Sequence, residues 1–408
     1  MLLNYVPRYH ELVSSLDSIP FEPLEVNGHF HTPYSFSAFT GMDQVFEMAR
    51  QEGLQVLGIN DFYVADGYEE FASFALSNRI FPLFNIEFIA LNKSFQEQGI
   101  RVNDPNNPGR TYFSGKGLNA PLSLPADAAA LLEKVKTESQ RQVAQMIEKL
   151  NVWLASLGSD IVLSYEGVRT AYARQLVRER HIAKALRIAI FERYTDDGAR
   201  LDFLKRLYGG KDCAVSLSNE AALDNELRNN LLKSGGRAFV EEDDQAFLSV
   251  EQVWALILQA GGIPCYPVLL DDKNGNYTDY EGNKEQMLAD LIQRKIFSIE
   301  LIPGRNSLEA LTEFVRFFRQ NGFVITFGTE HNAPDMIPLT CDSRGKVALT
   351  EELRRINYEG ACVVAAHQYL HAQGMPGFVD AAGDASRNQM AHFIRLGNAV
   401  IRKFSALS

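Results

Sequence analysis

Short apolar runs of strand length alternate with amphipathic helical stretches, and this rhythm occurs in two separate parts of the chain. In the first part LEVNGHFH precedes MDQVFEMARQEG, LQVLGIND precedes GYEEFASFALSN, and FPLFNIEFIAL closes the series. In the second, SVEQVWALILQAGG leads to IPCYPVLL, KEQMLADLIQRK to IFSIELIP, and LEALTEFVRFFRQNG to FVITFGTEH. Each of these later helices ends in a Gly or a basic turn directly before an apolar strand, as helix-stop signals predict. Alternation of this kind builds β-α units over a parallel sheet. The two stretches, residues 20–98 and 236–335, read as two parts of one α/β barrel.

The region between them, residues 99–235, reads differently. It opens with the polar segment RVNDPNNPGRTYFSGKG, whose Pro, Asn and Gly content predicts a loop without regular structure. Leu132, Val135, Val143, Met146, Ile147, Leu150, Leu154 and Leu157 then recur at helical spacing up to Gly158, and a second helical stretch covers about 165–194. The expectation is a loop followed by a helical insertion or lid. Residues 336–408 form a C-terminal extension with two further helical patterns, EELRRINYEGACVVAAHQYLHAQG and SRNQMAHFIRLGNAVIRKF.

With 408 residues, 46% of them hydrophobic, the chain can bury a substantial core. Its net charge of -11 argues against general affinity for nucleic-acid backbones, which is driven by clustered Lys and Arg. No run of eighteen apolar residues occurs and MLLNYVPRYHELV lacks the pattern of a signal peptide, so no membrane is expected and the cytoplasm is the expected compartment. The four cysteines, at 213, 265, 341 and 362, form no Cys-x-x-Cys pair and read as reduced thiols. Oligomeric state is left open.

His29 and His31 are separated by one residue in a strand, so alternation points both rings to one side. Two imidazoles at a strand end make a metal clip, although the same spacing also occurs on solvated strand faces. Asp61 follows the second apolar run, Glu87 the third, and Glu330 with His331 the last. In a β/α barrel such ends converge on one rim, where active sites are found. The competing reading for Asp61 alone is an N-cap of the following helix. His367 and His371 are spaced for metal binding on a helix but have no third ligand, and with His10 and His392 they read as structural.

In order and content these motifs resemble the polymerase and histidinol phosphatase (PHP) superfamily, particularly its small bacterial nucleotide and nucleoside phosphatases. NGHFHTPYS resembles the opening His-x-His-Thr-x-x-Ser motif, GINDFYVADGYEEF the Thr-Asp-His segment, and FNIEFIAL the Gly-x-Glu motif. ERHIAKAL resembles an Arg-Pro-His segment, SVEQVWALILQAGGIPCYPVLL the Gly-Gly-x-Pro-x-x-Ala-His-Pro segment, and ITFGTEHN the terminal Gly-Ser-Asp-x-His motif. The resemblance implies a distorted TIM-like (β/α)7 barrel and a divalent metal held by His29, His31, Glu87 and Glu330. It also implies that Asp61 or His331 orients or deprotonates the attacking water. Arg180 and His181, with Tyr266 and Arg110, would meet the substrate; a solvated helix face is the competing reading for the first two, and a plain surface loop for Arg110.

The sequence departs from the family at other metal positions. Tyr266 stands where a ligand His is expected, and Phe36 and Phe62 replace two ligands of a third site. One or two ions are therefore expected, and mixed His and carboxylate donors suit zinc, manganese or iron. The function so implied is hydrolysis of a phosphate ester of a small metabolite or nucleotide, with no large nucleic acid as partner. The alternative is a barrel that has lost catalysis and serves as a binding or scaffold protein, with Phe36 and Phe62 filling former metal space; a metal hydrolase acting on a non-phosphate bond is the third reading.

Overall fold

The computed structural model describes residues 5–407. After a short helix α1 (Tyr9–Ser14), the first series runs β1 (Val26–Phe30), α2 (Met42–Gln51), β2 (Val56–Phe62), α3 (Tyr68–Asn78) and β3 (Phe81–Leu91). Every residue of these three strands is buried, as expected for sheet strands covered on both faces. A short helix α4 (Lys93–Glu97) then leads to β4 (Arg110–Lys116).

β4 corrects the loop reading of residues 101–117. The Pro, Asn and Gly residues are confined mainly to the turn ahead of the strand, whereas Thr111, Tyr112 and Phe113 are strand formers that pair with β3. β4 lies antiparallel to β3 on one side. On the other it lies antiparallel to a later strand at Ile263–Val268.

Five helices follow: α5 (Ala126–Ser156), α6 (Tyr165–Tyr172), α7 (Glu179–Arg193), α8 (Asp197–Leu207) and α9 (Glu220–Leu231). The stretch expected as one helix over 165–194 is thus two, interrupted between Tyr172 and Glu179. The second series supplies β5 (Leu248–Ser249), α10 (Val250–Gln259), β6 (Ile263–Val268), α11 (Lys284–Gln293), β7 (Ser298–Leu301), α12 (Leu308–Gln320) and β8 (Val324–Phe327). Side-chain caps start these helices where the sequence offers them: Ser249 for α10, Asn283 for α11 and Ser307 for α12.

The sheet order is β1-β2-β3-β4-β6-β7-β8, with β5 beside β3. A parallel bridge between Phe30 and Glu330 brings the two edges together, so the sheet is nearly closed into the expected barrel. Helices α13 (Glu351–Ala372) and α14 (Met390–Ser405) cover one end of the barrel. Their approach is close: a Cβ on Gly360 would lie 1.9 Å from the Ile325 carbonyl oxygen, and one on Gly397 would lie 1.8 Å from that of Cys362. Among the described residues no helix is long and apolar enough to cross a membrane.

Candidate metal centre

His29 and His31 project from β1 and its end into the barrel mouth, where both are buried. Their Nε2 atoms face each other at 3.3 Å. Glu87 enters from β3, placed there because its backbone stands in register with Phe62 of β2. Ligand atoms of His29, His31 and Glu87 all lie within 4.8 Å of one another. Glu87 Oε2 is 3.1 Å from His31 Nε2, yet it is buried without a hydrogen-bond partner. Burial lifts the Glu87 carboxyl well above the usual carboxylate range.

The surroundings dictate which ring nitrogens face the cluster. Glu300 on β7 lies 2.9 Å from His29 Nδ1 and, as a carboxylate, accepts the hydrogen there. His31 Nδ1 lies 3.2 Å from Ser35 Oγ, which donates in turn to Asp61 at 2.6 Å. With hydrogen on Nδ1, each ring presents its Nε2 to Glu87, and in the metal-free protein the His29 Nε2 lone pair also has the Asn60 amide Nδ2 as a donor, 3.1 Å away. Two imidazoles with carboxylate or hydroxyl partners behind them, plus one unpartnered carboxylate oxygen, fit a divalent cation. Burial alone would raise Glu300, but Lys116 and His29 hold it well below the ordinary carboxylate range.

The remaining predicted residues are distributed as follows. Glu330 lines the same cavity as His29 and Glu87, about 220 Å³ in volume, but its carboxylate turns to Arg305, 3.2 Å away, and to Asn332. Its backbone closes the barrel, donating to His29 O at 3.0 Å and accepting from His31 N at 2.7 Å. Glu330 and His331 both have positive φ, 70° and 53°, which L-residues seldom adopt.

His331 does not face the cluster. Its Nδ1 meets Thr329 Oγ1 at 2.8 Å and its Nε2 the Ile337 carbonyl at 2.9 Å, so both nitrogens brace the loop. Asp61 is likewise committed: it accepts from Thr32 N at 2.8 Å, Thr32 Oγ1 and Ser35 Oγ. It holds the turn that carries His31, with no oxygen left over for a water as its main partner.

Arg180 bonds Asn225 at 2.7 Å and lies over Phe36. His181 Nδ1 accepts from the Arg178 backbone at 2.9 Å, and burial with the Arg178 charge beside it pushes its pKa down to about 3. It is therefore neutral near pH 7 and offers no charge to a phosphate. Tyr266 turns its hydroxyl to Glu281 at 3.3 Å, and Arg110 pairs with Glu242 at 2.6 Å against Phe247. Neither residue lines the cavity beside the metal cluster.

Other residues take the places near the cluster that sequence reasoning gave to these four. Phe62 stacks on His31 with ring centroids 4.9 Å apart, and Arg178 covers the Phe62 ring at 4.8 Å. Arg305 and Asn332 line the cavity. Glu300 and Lys116 lie inside the barrel; their only sequence signal is a charged residue in a strand-forming run, IFSIELIP for one and RTYFSGK for the other.

No known family's sequence model matches the chain, and no curated protein sequence matches it. Solved structures do. A protein from Bifidobacterium adolescentis, described as a candidate metal-dependent phosphoesterase, aligns over 82% of this chain and 96% of its own with a TM-score of 0.53 and 16% identity. An amidohydrolase from Chromobacterium violaceum, solved with sulfate and without metal, aligns over the same shares with a TM-score of 0.50 and 17% identity. The likeness is one of fold.

Proposed function

We propose that this chain is a metal-dependent hydrolase of the PHP type that cleaves a phosphate ester of a small metabolite or nucleotide. The observation that carries this reading is the buried, unpartnered Glu87 oxygen beside two imidazoles whose Nε2 lone pairs point at it. A buried carboxyl oxygen without a hydrogen-bond partner is costly, and the group is ionised there only when a cation completes it. His29, His31 and Glu87 would hold that ion, with the Glu330 carboxylate at the rim as a further donor. When bound, a divalent ion supplies Lewis acidity to a phosphoryl oxygen and makes a nearby water more acidic.

The protein's own groups define the rest. Arg305, about half exposed beside Glu330, is the cation of the cavity best placed to bind a substrate phosphate by charge-assisted hydrogen bonds. Asn332 and Asn106 line the same cavity, whereas the Asn103 amide is engaged by the backbone of Tyr112 and Pro267. Asp61, through Ser35, orients His31. The cavity of about 220 Å³ and the net charge of -11 suit a small ester better than a polynucleotide.

Metal content per purified chain, compared with a His29→Ala/His31→Ala double variant, tests the reading. One equivalent in the wild type that is lost in the variant, followed by turnover in a phosphoester screen, is the expected result. A second reading, a barrel without catalysis, is favoured by Phe62 packed on His31 and Phe36 packed on His181 at 4.8 Å. Absence of bound metal after reconstitution with manganese, zinc and iron would decide for it.

A further inference from the structure

Behind the His29 ring, on the side away from Glu87, a second charge is buried in the barrel. Lys116 of β4 is 1% exposed, and its Nζ lies 2.5 Å from Glu300 Oε2 and 3.4 Å from Asn60 Oδ1. The same Glu300 oxygen is the one 2.9 Å from His29 Nδ1. Glu300 Oε1 accepts from Ser114 Oγ at 2.5 Å, and Asn60 Nδ2 donates to Ser114 at 3.2 Å. Ser114 and Lys116 are alternate residues of one strand, so both reach the barrel interior from the same face.

Stability does not explain a lysine in this position. A buried ion pair is often no better than an apolar pair of similar volume, whereas leaving either partner alone is strongly unfavourable. Orientation explains it better. Each Glu300 oxygen has its own donor, Ser114 for Oε1 and Lys116 for Oε2, so the carboxylate is fixed in one setting, and in that setting it takes the His29 Nδ1 hydrogen. The lone pair of His29 Nε2 is thereby left facing His31 and Glu87, with Asn60 Nδ2, 3.1 Å away, the donor that an ion would displace.

We propose that Lys116 is a positioning residue for the metal, acting through Glu300 to hold His29 in the ring orientation and tautomer that bind the ion. The inference rests on the metal-hydrolase reading above for its ion, but the chain Lys116–Glu300–His29 is testable without any turnover. Groups behind a ligating His commonly set metal affinity by 10- to 100-fold.

The test is Mn²⁺ binding by calorimetry for the wild type, Lys116→Met, Glu300→Leu and the double variant, together with ¹⁵N-histidine NMR of the metal-free proteins. Each single variant is expected to weaken Mn²⁺ binding roughly 10- to 100-fold. The double variant should bind no more weakly than Glu300→Leu alone, because Lys116 acts through Glu300. In metal-free wild type the His29 signals should report hydrogen on Nδ1, and in Lys116→Met a mixture of tautomers. Binding by Lys116→Met within twofold of wild type, losses that multiply in the double variant, or an unchanged His29 tautomer would overturn the proposal. Should either single variant fail to fold, the double variant, which leaves no unpaired charge, is compared with wild type: binding weakened roughly 10- to 100-fold with mixed His29 tautomers supports the chain, and binding within twofold of wild type or hydrogen still on His29 Nδ1 overturns it. If wild type itself binds no Mn²⁺, the hydrolase reading fails, while the His29 tautomer still decides the role of Lys116.

Discussion

Glu87 is held in a state that is unfavourable for the metal-free protein, and replacing it separates stability from function. Glu87→Gln removes a buried carboxyl whose second oxygen has no hydrogen-bond partner, so metal-free protein should unfold at a higher temperature, by about 1–3 kcal/mol of added stability. The same change takes away the one group of the cluster that can become an anionic ligand. Added Mn²⁺ should raise the wild-type melting temperature and leave that of Glu87→Gln unmoved, and phosphoesterase turnover should fall at least about 100-fold, of the order expected for loss of charge stabilisation at a reacting centre. A metal-free variant less stable than wild type, still stabilised by Mn²⁺, would sink the assignment. At this scale the sequence was partly legible. His29, His31 and Glu87 could be found because strand alternation and strand position are local properties. Glu300, Lys116 and Arg178 could not, because what matters about them is a partner more than a hundred residues away, and a single charged residue in a strand carries no pointer to it. The sequence motif instead directed attention to Arg180 and His181, one turn from the residue that reaches Phe62.

Between β6 and α11 the chain is fastened by one acid, and its ionisation sets how firmly. Glu281 accepts from Leu269 N at 2.8 Å, Thr278 Oγ1 at 3.1 Å and Tyr266 at 3.3 Å, and burial raises its pKa to about 7. The folded state thus keeps a proton that the unfolded chain releases near 4.5. Its stabilising contribution is complete below that value and is lost as pH rises toward 7. Glu281→Gln should match wild type near pH 4.5 and exceed it by about 3 kcal/mol at pH 8, read from urea unfolding at the two pH values. An equal difference at both would show that ionisation is not involved. Packing of α14 on α13 is a second element-scale property: Gly397→Ala places a methyl 1.8 Å from the Cys362 carbonyl, so the helices must separate, and a loss of roughly 1–3 kcal/mol is expected from such overpacking. Sequence periodicity showed these helices but not their contact, since a glycine at a close approach looks like any other helical glycine. β4 was hidden for a related reason: its strand-forming residues sit directly after a turn rich in Pro, Asn and Gly, and only pairing with β3 and β6 distinguishes it from the loop it follows.

The barrel, its helical insertion and its C-terminal helices stand in different energetic relations to one another, and two deletions should show it. Val26, Val56, Phe81, Leu83, Ile263 and Val324, all of barrel strands, share a single apolar cluster with α13 and α14. Removing residues 350–408 would expose them together. At about 1.5–3 kcal/mol for each large side chain, the loss is comparable to or larger than the whole stability of an ordinary domain, about 5–15 kcal/mol, so the truncated chain should not fold. The insertion behaves otherwise, because its own cluster, built from residues between Val143 and Ala238, contains no residue of a barrel strand. Its two ends lie side by side, with Gln142 Nε2 donating to Val240 O at 2.8 Å, so residues 143–239 can be replaced by a short Gly-Ser linker without spanning a gap. This shortened chain should unfold cooperatively and bind one equivalent of Mn²⁺, since His29, His31, Glu87, Glu300 and Lys116 all remain. It should nevertheless lose turnover, because Arg178 is gone from Phe62 and the Asn225 to Asp335 link, at 3.1 Å, no longer ties the insertion to the loop after Glu330. Metal binding without turnover would assign substrate handling to the insertion and metal handling to the barrel. Full turnover would confine both to the barrel, and loss of metal would mean that the insertion shapes the barrel mouth as well as covering it.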